Sequence, residues 1–312
     1  MRIIAIMPVR NEEWCLGLTA RALLMWVDQL IILDHASTDR TRDIMMDLTR
    51  DPKNANRLVF LSEPDPTWRE MAHRQMLLEM ARRQGATHVV TVDADEVLTG
   101  NLLPTIREKI GALPQNAVMQ LPWVCLRDSI YQQHATGVWS QQYASVAFCD
   151  DPRWYWSSSE RGGYDFHHRH PMGRNFIPQQ AVHFPGGGLF HLQFVSKRRL
   201  HAKQLHYQLI ERLRWPDRES VETVVRKYRY SVYGWPNRPE GGIPHFDLKA
   251  VPTGWWEPYS HLVHHLNPDL PAWQEPEIAR MLRENPGLGK DLDDFGSGLL
   301  SLPASGAKEV AA

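Results

Sequence analysis

Two carboxylates one residue apart, Asp93-Ala94-Asp95, follow the apolar run His88-Val89-Val90-Thr91-Val92. Carboxylates on one turn at the end of a buried strand suit a hard divalent cation. Mg²⁺ or Mn²⁺ held by one or two of them can bridge the phosphates of a substrate. The competing reading is a solvated acidic turn, and the buried run before the pair argues against it. Polar clusters end two more apolar runs: Arg10-Asn11-Glu12 after Ile3 to Val9, and Asp34 to Asp39 after Gln29 to Leu33. A fourth cluster, His167-His168-Arg169-His170, invites a zinc reading. Adjacent histidines alternate faces in a strand and lack the i, i+4 spacing of helical zinc ligands, so a polar loop is preferred. Gly186-Gly187-Gly188 lacks the Lys-Ser/Thr of a phosphate loop and reads as a turn.

These clusters need elements to hold them together. Ile3 to Val9 is a continuous apolar run, as a buried parallel strand requires. Asn11 can cap a helix over Glu12 to Trp26. Gln29 to Leu33 is a second strand, and Ser37-Thr38-Asp39 offers a cap for a helix reaching Leu48. Arg57 to Leu61 is a third strand. Asp65-Pro66 opens a helix from Thr67 to Gln84 that stops at Gly85. Thr87 to Val92, a helix over Leu103 to Leu113 and a strand over Ala117 to Leu126 follow. Strand-helix alternation at this spacing gives right-handed crossovers and an α/β fold. Such sheets bind ligands at the carboxyl ends of their strands, where all three clusters lie. Beyond residue 196, residues 197 to 230 look helical and basic, Trp215 to Trp256 reads as loop or lid, and Pro276 to Glu284 as a short helix.

Composition narrows the function classes. The 312 residues carry 35 Lys plus Arg against 36 Asp plus Glu, a formal net charge of -1. That balance excludes a strongly basic, field-driven nucleic-acid binder. The hydrophobic fraction of 43% argues against disorder. A chain of this length buries roughly 75% of its unfolded surface, enough for a large core. No stretch reaches the ~18 apolar residues of a membrane span, so no integral membrane segment is expected. Cys15, Cys125 and Cys149 are odd in number and fit neither a zinc knuckle nor a redox pair, which points to reduced thiols and a cytoplasmic location. The 12 Trp and 15 His fall mostly after residue 120. Trp139, Trp154, Trp156, Trp255 and Trp256 could line a cleft for a sugar or a base, although core packing explains aromatics as readily.

Three stretches, in order, resemble the family-2 glycosyltransferases of the GT-A fold. They are Pro8-Val9-Arg10-Asn11-Glu12, Leu33-Asp34-His35-Ala36-Ser37-Thr38-Asp39-Arg40-Thr41, and Val92-Asp93-Ala94-Asp95-Glu96. The resemblance covers residues 1 to 125. It implies a Rossmann-like, mostly parallel sheet flanked by helices, with a C-terminal helical and loop extension. It also implies transfer of a sugar from a nucleotide-diphospho-sugar, a UDP-sugar in the first instance, to an acceptor hydroxyl with Mn²⁺ or Mg²⁺. By the same resemblance Pro8, Val9, Arg10 and Glu12 line the nucleotide site, and Asp34 bonds the base or ribose. His35 stands where the family often has a second acidic residue. Arg74 meets the nucleotide, Asp93 and Ala94 face the ribose, and Asp93 and Asp95 belong to the metal motif. His191, within Gly188-Leu189-Phe190-His191, matches a segment in which a His completes the metal site; His183 is a weaker candidate.

An inverting enzyme needs a carboxylate to deprotonate the acceptor. Asp165 and Glu160 are the candidates, and no Glu-Asp pair of the inverting type is evident, so inverting and retaining outcomes both stay open. The acceptor could be a glycan, a lipid, a protein or a modified nucleobase in DNA. The many aromatics would suit a flipped base, while the near-zero net charge lends it no support. Two other readings compete. A nucleotidyltransferase would need a Gly-rich phosphate loop after the first strand, and Pro8 to Glu12 has no Gly. A non-catalytic sugar- or nucleotide-binding module is disfavoured by the intact carboxylates. The expected organisation is a catalytic domain over 1–215, with a nucleotide-sugar and metal half over 1–115 and an acceptor half over 116–215. An extension or lid over 216–300 and a disordered tail over 301–312 complete it.

Overall fold

The structure is a computed structural model. It describes residues 1–67, 69–115, 117–156, 169–173, 181–182, 186–233 and 246–291. Strands β1 (Ile3–Val9), β2 (Gln29–His35), β3 (Leu58–Glu63) and β4 (His88–Thr91) form a parallel core in the order β4-β1-β2-β3. Helices α1 (Leu16–Leu23), α2 (Thr41–Arg50) and α3 (Glu70–Arg83) make the crossovers. β1 shows why the sheet needs helices on both faces. Its Ile3, Ala5, Met7 and Val9 enter one apolar cluster with residues of α1 and α2, while Ile4 and Ile6 enter another with Leu77, Leu78 and Ala81 of α3. A strand buried on both sides must be apolar throughout.

Beyond β4 the sheet becomes mixed. β5 (Glu96–Leu98) and α4 (Ile106–Gly111) precede β6 (Val118–Arg127), β7 (Gln132–His134) and β8 (Tyr143–Cys149). β8 runs antiparallel between β4 and β6. β9 (Trp154–Tyr155) pairs with β10 (Met172–Gly173). β11 (Ala181–Val182) and β12 (Leu189–Phe194) lie parallel to β6, and β12 also pairs antiparallel with β5, setting His191 opposite Glu96. The result is the expected α/β, GT-A-like sheet flanked by helices.

The chain divides into two compact units. The first, residues 1–195 with 247–269, holds the sheet and ends with β13 (Leu248–Ala250), which pairs with β7. The second, residues 196–246 with 270–312, contains α5 (Lys197–Arg214), α6 (Val221–Tyr233) and α7 (Gln274–Glu284). Leu205 and Leu209 of α5 pack with Val225, Ile278 and Met281 in its core. Glu211 of α5 accepts from Lys227 Nζ at 3.0 Å and from the Tyr228 hydroxyl. The helix α6 agrees with the helical reading of residues 197 to 230, and it corrects the overlapping reading of Trp215 to Trp256 as loop over residues 221–233. Its Val221, Val224 and Val225 supply a helical face despite the prolines that follow.

Two local expectations also change. Asn11 does not cap α1, whose N-terminal position is Cys15 with no side-chain cap. Asn11 instead adopts φ 56°, and its Oδ1 accepts from the backbone N–H of Thr38 at 2.7 Å and of Asp39 at 3.3 Å. Asn tolerates this left-handed conformation better than most residues. α3 begins at Glu70 rather than Thr67, while Asp65 Oδ1 holds the Thr67 N–H at 3.0 Å in the preceding turn.

Candidate active site

The loops after β1 and β2 form one hydrogen-bonded rim. The Asn11 N–H donates to Ser37 Oγ at 2.9 Å, and the Glu12 N–H to Thr41 Oγ1 at 2.8 Å. Asp39 accepts from the Glu13 N–H at 3.1 Å and from the Thr41 N–H at 2.9 Å, so it joins the two loops, while the N-cap position of α2 is Arg40, with no side-chain cap. Pro8 is half-buried and Val9 buried in β1, paired with Leu33 and Asp34. Arg10 Nη1 donates to the Pro66 carbonyl at 2.7 Å. Glu12 Oε2 accepts from Trp14 Nε1 at 2.7 Å. Asp34 is buried, with one oxygen taking the Ser37 N–H at 3.2 Å and the other paired to Arg42. His35 points to the opposite face, its ring 4.4 Å from that of His73.

The turn between β4 and β5 carries the carboxylates. It is tied by its own residues: the Glu96 N–H donates to the Asp93 carbonyl at 3.1 Å, and the Asp93 N–H to Glu96 Oε2 at 2.8 Å. From below, the Cys15 thiol donates to the Ala94 carbonyl at 3.1 Å. From the side, the Leu192 N–H donates to the Asp95 carbonyl at 2.9 Å. All three cysteines are free thiols.

Asp93 is surrounded by arginine. Arg74 Nη2 donates to Oδ1 at 3.1 Å, and Arg169 Nη1 to Oδ2 at 2.7 Å. Arg74 is itself anchored to Glu70 Oε1 at 2.7 Å, one turn back on α3. Arg169 grips Glu96 with two hydrogen bonds of 2.8 and 2.6 Å. Burial pushes the Asp93 carboxyl up, but Arg169 and Arg74 outweigh it and hold it at about 2. Burial also raises Glu96, and there the pull of Arg169 does not compensate. The neighbouring charges make the difference: Asp93 has two arginines beside it, whereas Glu96 has Arg169 and, against it, the like charge of Asp93.

Asp95 faces a different partner. Its Oδ2 lies 3.5 Å from His191 Nε2. The imidazole stacks on Trp123 with centroids 4.2 Å apart and planes 10° from parallel, and its Nδ1 is buried without a hydrogen-bond partner. A separation of 3.5 Å is loose for a hydrogen bond. It is close to the spacing of two ligands on one ion with bonds of about 2.1 Å. The donor set, one imidazole nitrogen and one carboxylate oxygen, therefore fits a Mn²⁺-like cation. Among the described residues no three His, Cys, Asp or Glu side chains converge to cage a metal. Other ligands would have to come from substrate phosphates and water, as is usual for Mg²⁺-type sites.

The site thus unites Asp93, Asp95, Arg74 and His191, separated by up to 117 residues in sequence. Asp34 and Arg10 stand at the strand ends with their groups engaged locally. Glu160, Asp165 and His183 lie outside the described residues, as do His167 and His168. Of the aromatics proposed for a cleft, Trp156 and Trp256 are buried and Trp139, Trp154 and Trp255 are half-buried. Trp256 stacks on Phe190 at 4.4 Å and donates to the Ile130 carbonyl at 2.7 Å, and Trp154 stacks on Phe148 at 5.5 Å. Glu70, Glu96 and Arg169 were not anticipated. The one cue for Arg169 was a cation lodged within a histidine cluster.

The chain matches the model of glycosyl transferase family 2 over residues 4–187. No curated protein matches it. Among solved structures it is similar to residues 1-349 of S. aureus TarS, at 11% identity over 95% of this chain and 89% of that chain, with a TM-score of 0.41. The match to the same protein in complex with UDP has 18% identity and a TM-score of 0.33, and spans 44% of this chain and only 38% of that one. It is also similar to the mannosyltransferase PcManGT from Pyrobaculum calidifontis in complex with GDP-Man and Mn2+, at 17% identity over 96% of this chain and 79% of that chain, with a TM-score of 0.42.

Proposed function

The chain belongs to glycosyl transferase family 2, and from that premise we propose that it moves a sugar from a nucleoside-diphosphate sugar, a UDP-sugar first, to an acceptor hydroxyl with Mn²⁺ or Mg²⁺. The observation that carries this reading is the Asp95–His191 pair, two complementary donors held 3.5 Å apart at the end of the parallel sheet. A divalent ion held there would neutralise charge developing on the diphosphate as the glycosidic bond breaks.

The chain's own groups supply the rest. Arg74 has a buried Nη1 without a hydrogen-bond partner beside Asp93. A buried donor left unmade is costly, so a ribose or phosphate oxygen would relieve it. The rim built by Asn11, Ser37 and Asp39 closes the nucleotide side, with Pro8, Val9, Arg10, Glu12 and Asp34 beneath it. Asp165 and Glu160 remain the proposed bases for the acceptor hydroxyl. No helix among the described residues is long and apolar enough to cross a membrane. The acceptor classes proposed are a glycan, a lipid, a protein or a modified nucleobase in DNA.

A titration panel tests the reading. Purified protein is titrated with nucleotide-sugars, with and without Mn²⁺, beside Asp95→Ala. Metal-dependent binding of one UDP-sugar, lost in Asp95→Ala, is expected. A folded protein that binds no nucleotide-sugar with metal present would overturn it.

A further inference from the structure

Residues 197 to 230 make α5, the turn after it and most of α6, and carry ten Lys and Arg against four Asp and Glu. The whole chain has a formal net charge of -1, so its remainder is net negative and the positive excess sits on this helical pair. Part of the excess is neutralised within the unit. Arg199 is buried and donates to the carbonyls of Leu270 and Pro271 at 3.0 and 3.1 Å. Arg198 pairs with Glu275 at 2.6 Å, and Lys227 with the buried Glu211 at 3.0 Å. The corner between the helices differs. Arg214 is exposed and forms no ion pair among the described residues. Leu213 and Val221, on either side of the corner, are 41% and 43% exposed. Between them the Trp215 indole is half-buried, with the Arg218 guanidinium 5.4 Å from its ring centroid. We propose that this corner docks on the surface of an anionic lipid bilayer, Leu213, Trp215 and Val221 entering the headgroup boundary and Arg214 and Arg218 meeting the phosphates.

The corner's own backbone presents these groups together. The Trp215 N–H donates to the Glu211 carbonyl at 2.9 Å, the Arg218 N–H to the Trp215 carbonyl at 3.2 Å, and the Thr223 N–H to Ser220 Oγ at 3.2 Å. A single exposed Leu or Val needs no explanation. Two of them flanking an indole and two arginines, within nine residues, form the basic and aromatic set that settles at a membrane–water interface. A nucleic acid would take the arginines and leave Leu213 and Val221 in water. A neutral bilayer would take the apolar groups and leave the arginines without counter-charge. Each basic residue near an anionic leaflet strengthens binding by about fivefold. Asp217, exposed in the same turn, opposes this attraction, while Glu219 keeps one carboxylate oxygen buried. The contact is peripheral and needs neither metal nor nucleotide, so it stands apart from the reaction proposed above.

The test is co-sedimentation of the full chain with vesicles of phosphatidylcholine alone and of an equimolar mixture with phosphatidylglycerol. Binding to the mixed vesicles should be at least about tenfold stronger than to the neutral ones, and should weaken as salt screens the charges. Arg214→Glu changes two unit charges at the corner and should weaken it about 25-fold, fivefold for each. Lys197→Glu makes the same change at the far end of α5, about 25 Å away and beyond the screening length, and should leave binding nearly intact. Leu213→Ser with Val221→Ser leaves the charge untouched and should still weaken binding to the mixed vesicles. All three variants alter exposed side chains, and thermal melting confirms that each is folded. No preference of the wild type for the anionic vesicles overturns the proposal. So does an equal loss in Lys197→Glu and Arg214→Glu, or full binding by the double serine variant. Binding of a DNA duplex that Arg214→Glu weakens and the double serine variant keeps, with no binding to vesicles, would assign the corner to nucleic acid and refute it.

Discussion

Asp93 and Glu96 share one guanidinium and shift in opposite directions, because Asp93 has a second arginine, Arg74, beside it while Glu96 meets the like charge of Asp93. Exposure orders the cost of removing each charge. Glu96→Gln leaves a buried Arg169 short of its bidentate partner, and breaking a buried pair costs about 3–5 kcal/mol. Asp93→Asn should cost less, since that carboxylate is one-third exposed and solvent screens it. Urea midpoints of the two variants should fall in that order, and equal or reversed losses would contradict the assignment of Glu96 as the anchor. At this scale the carboxylates of the turn were legible in the sequence, because their spacing and the strand before them are local. Arg169 was not, because its partners lie 76 and 73 residues away and no local pattern encodes such a pairing. Asn11 was misread for a related reason. A polar residue before a helix looks like a cap, and only the neighbouring loop shows that Thr38 and Asp39 compete for its oxygen and win.

The element that delivers His191 depends on a close approach. β12 starts beside Gly188, where an added Cβ would sit 2.1 Å from the Pro122 carbonyl oxygen of β6. The atom it meets is backbone and cannot swing away. Gly188 also exchanges hydrogen bonds of 2.9 Å with Thr99 through both its N–H and its carbonyl. Gly188→Ala should therefore cost about 3 kcal/mol, the upper end for overpacking, and should weaken Mn²⁺ binding by shifting His191. Thermal melting and Mn²⁺ titration of this variant check both effects; a stable variant with unchanged metal affinity would show that β12 tolerates displacement. The strands β1, β2 and β4 were readable because both their faces are buried, and β3, which is only half-buried, was readable from the apolar run that opens it. β8 and β12 were harder. They enter the mixed part of the sheet among aromatic and polar residues, and β12 owes its place to β5 and β6 rather than to its own pattern. The glycine run read as a turn is, at Gly188, a packing requirement.

At the scale of the sheet-bearing unit, the histidines govern the response to acid. Burial is the leading cause in lowering His35, His73, His88, His134 and His265, and brings His73, His134 and His265 to about 4. The charge of Arg127 adds to the effect at His134, and that of Arg21 at His265. His73, His134 and His265 each bind a proton in the unfolded chain near pH 6.5 that the folded chain refuses until about pH 4. Between those values the unfolded state holds more protons, so stability falls as pH falls. The difference is about 1.4 kcal/mol per pKa unit per group. His73 and His134, both buried, therefore account for a loss of several kcal/mol, a large share of an ordinary domain's stability. The carboxylates do not produce this slope. Asp93 is held at about 2, so its contribution is lost only below the ordinary Asp range near 3.8. Glu96, raised by burial, works the other way and gains as it protonates. The urea midpoint, followed by tryptophan fluorescence, should drop steadily from pH 7 to pH 5. Replacing His134 by Gln should flatten that slope, because the neutral amide has no proton to refuse. A midpoint independent of pH over this interval would mean that the histidines protonate freely in the folded chain. The tight packing of His73 against His35 and of His134 against Phe194 would then have to open without cost, which their burial does not allow.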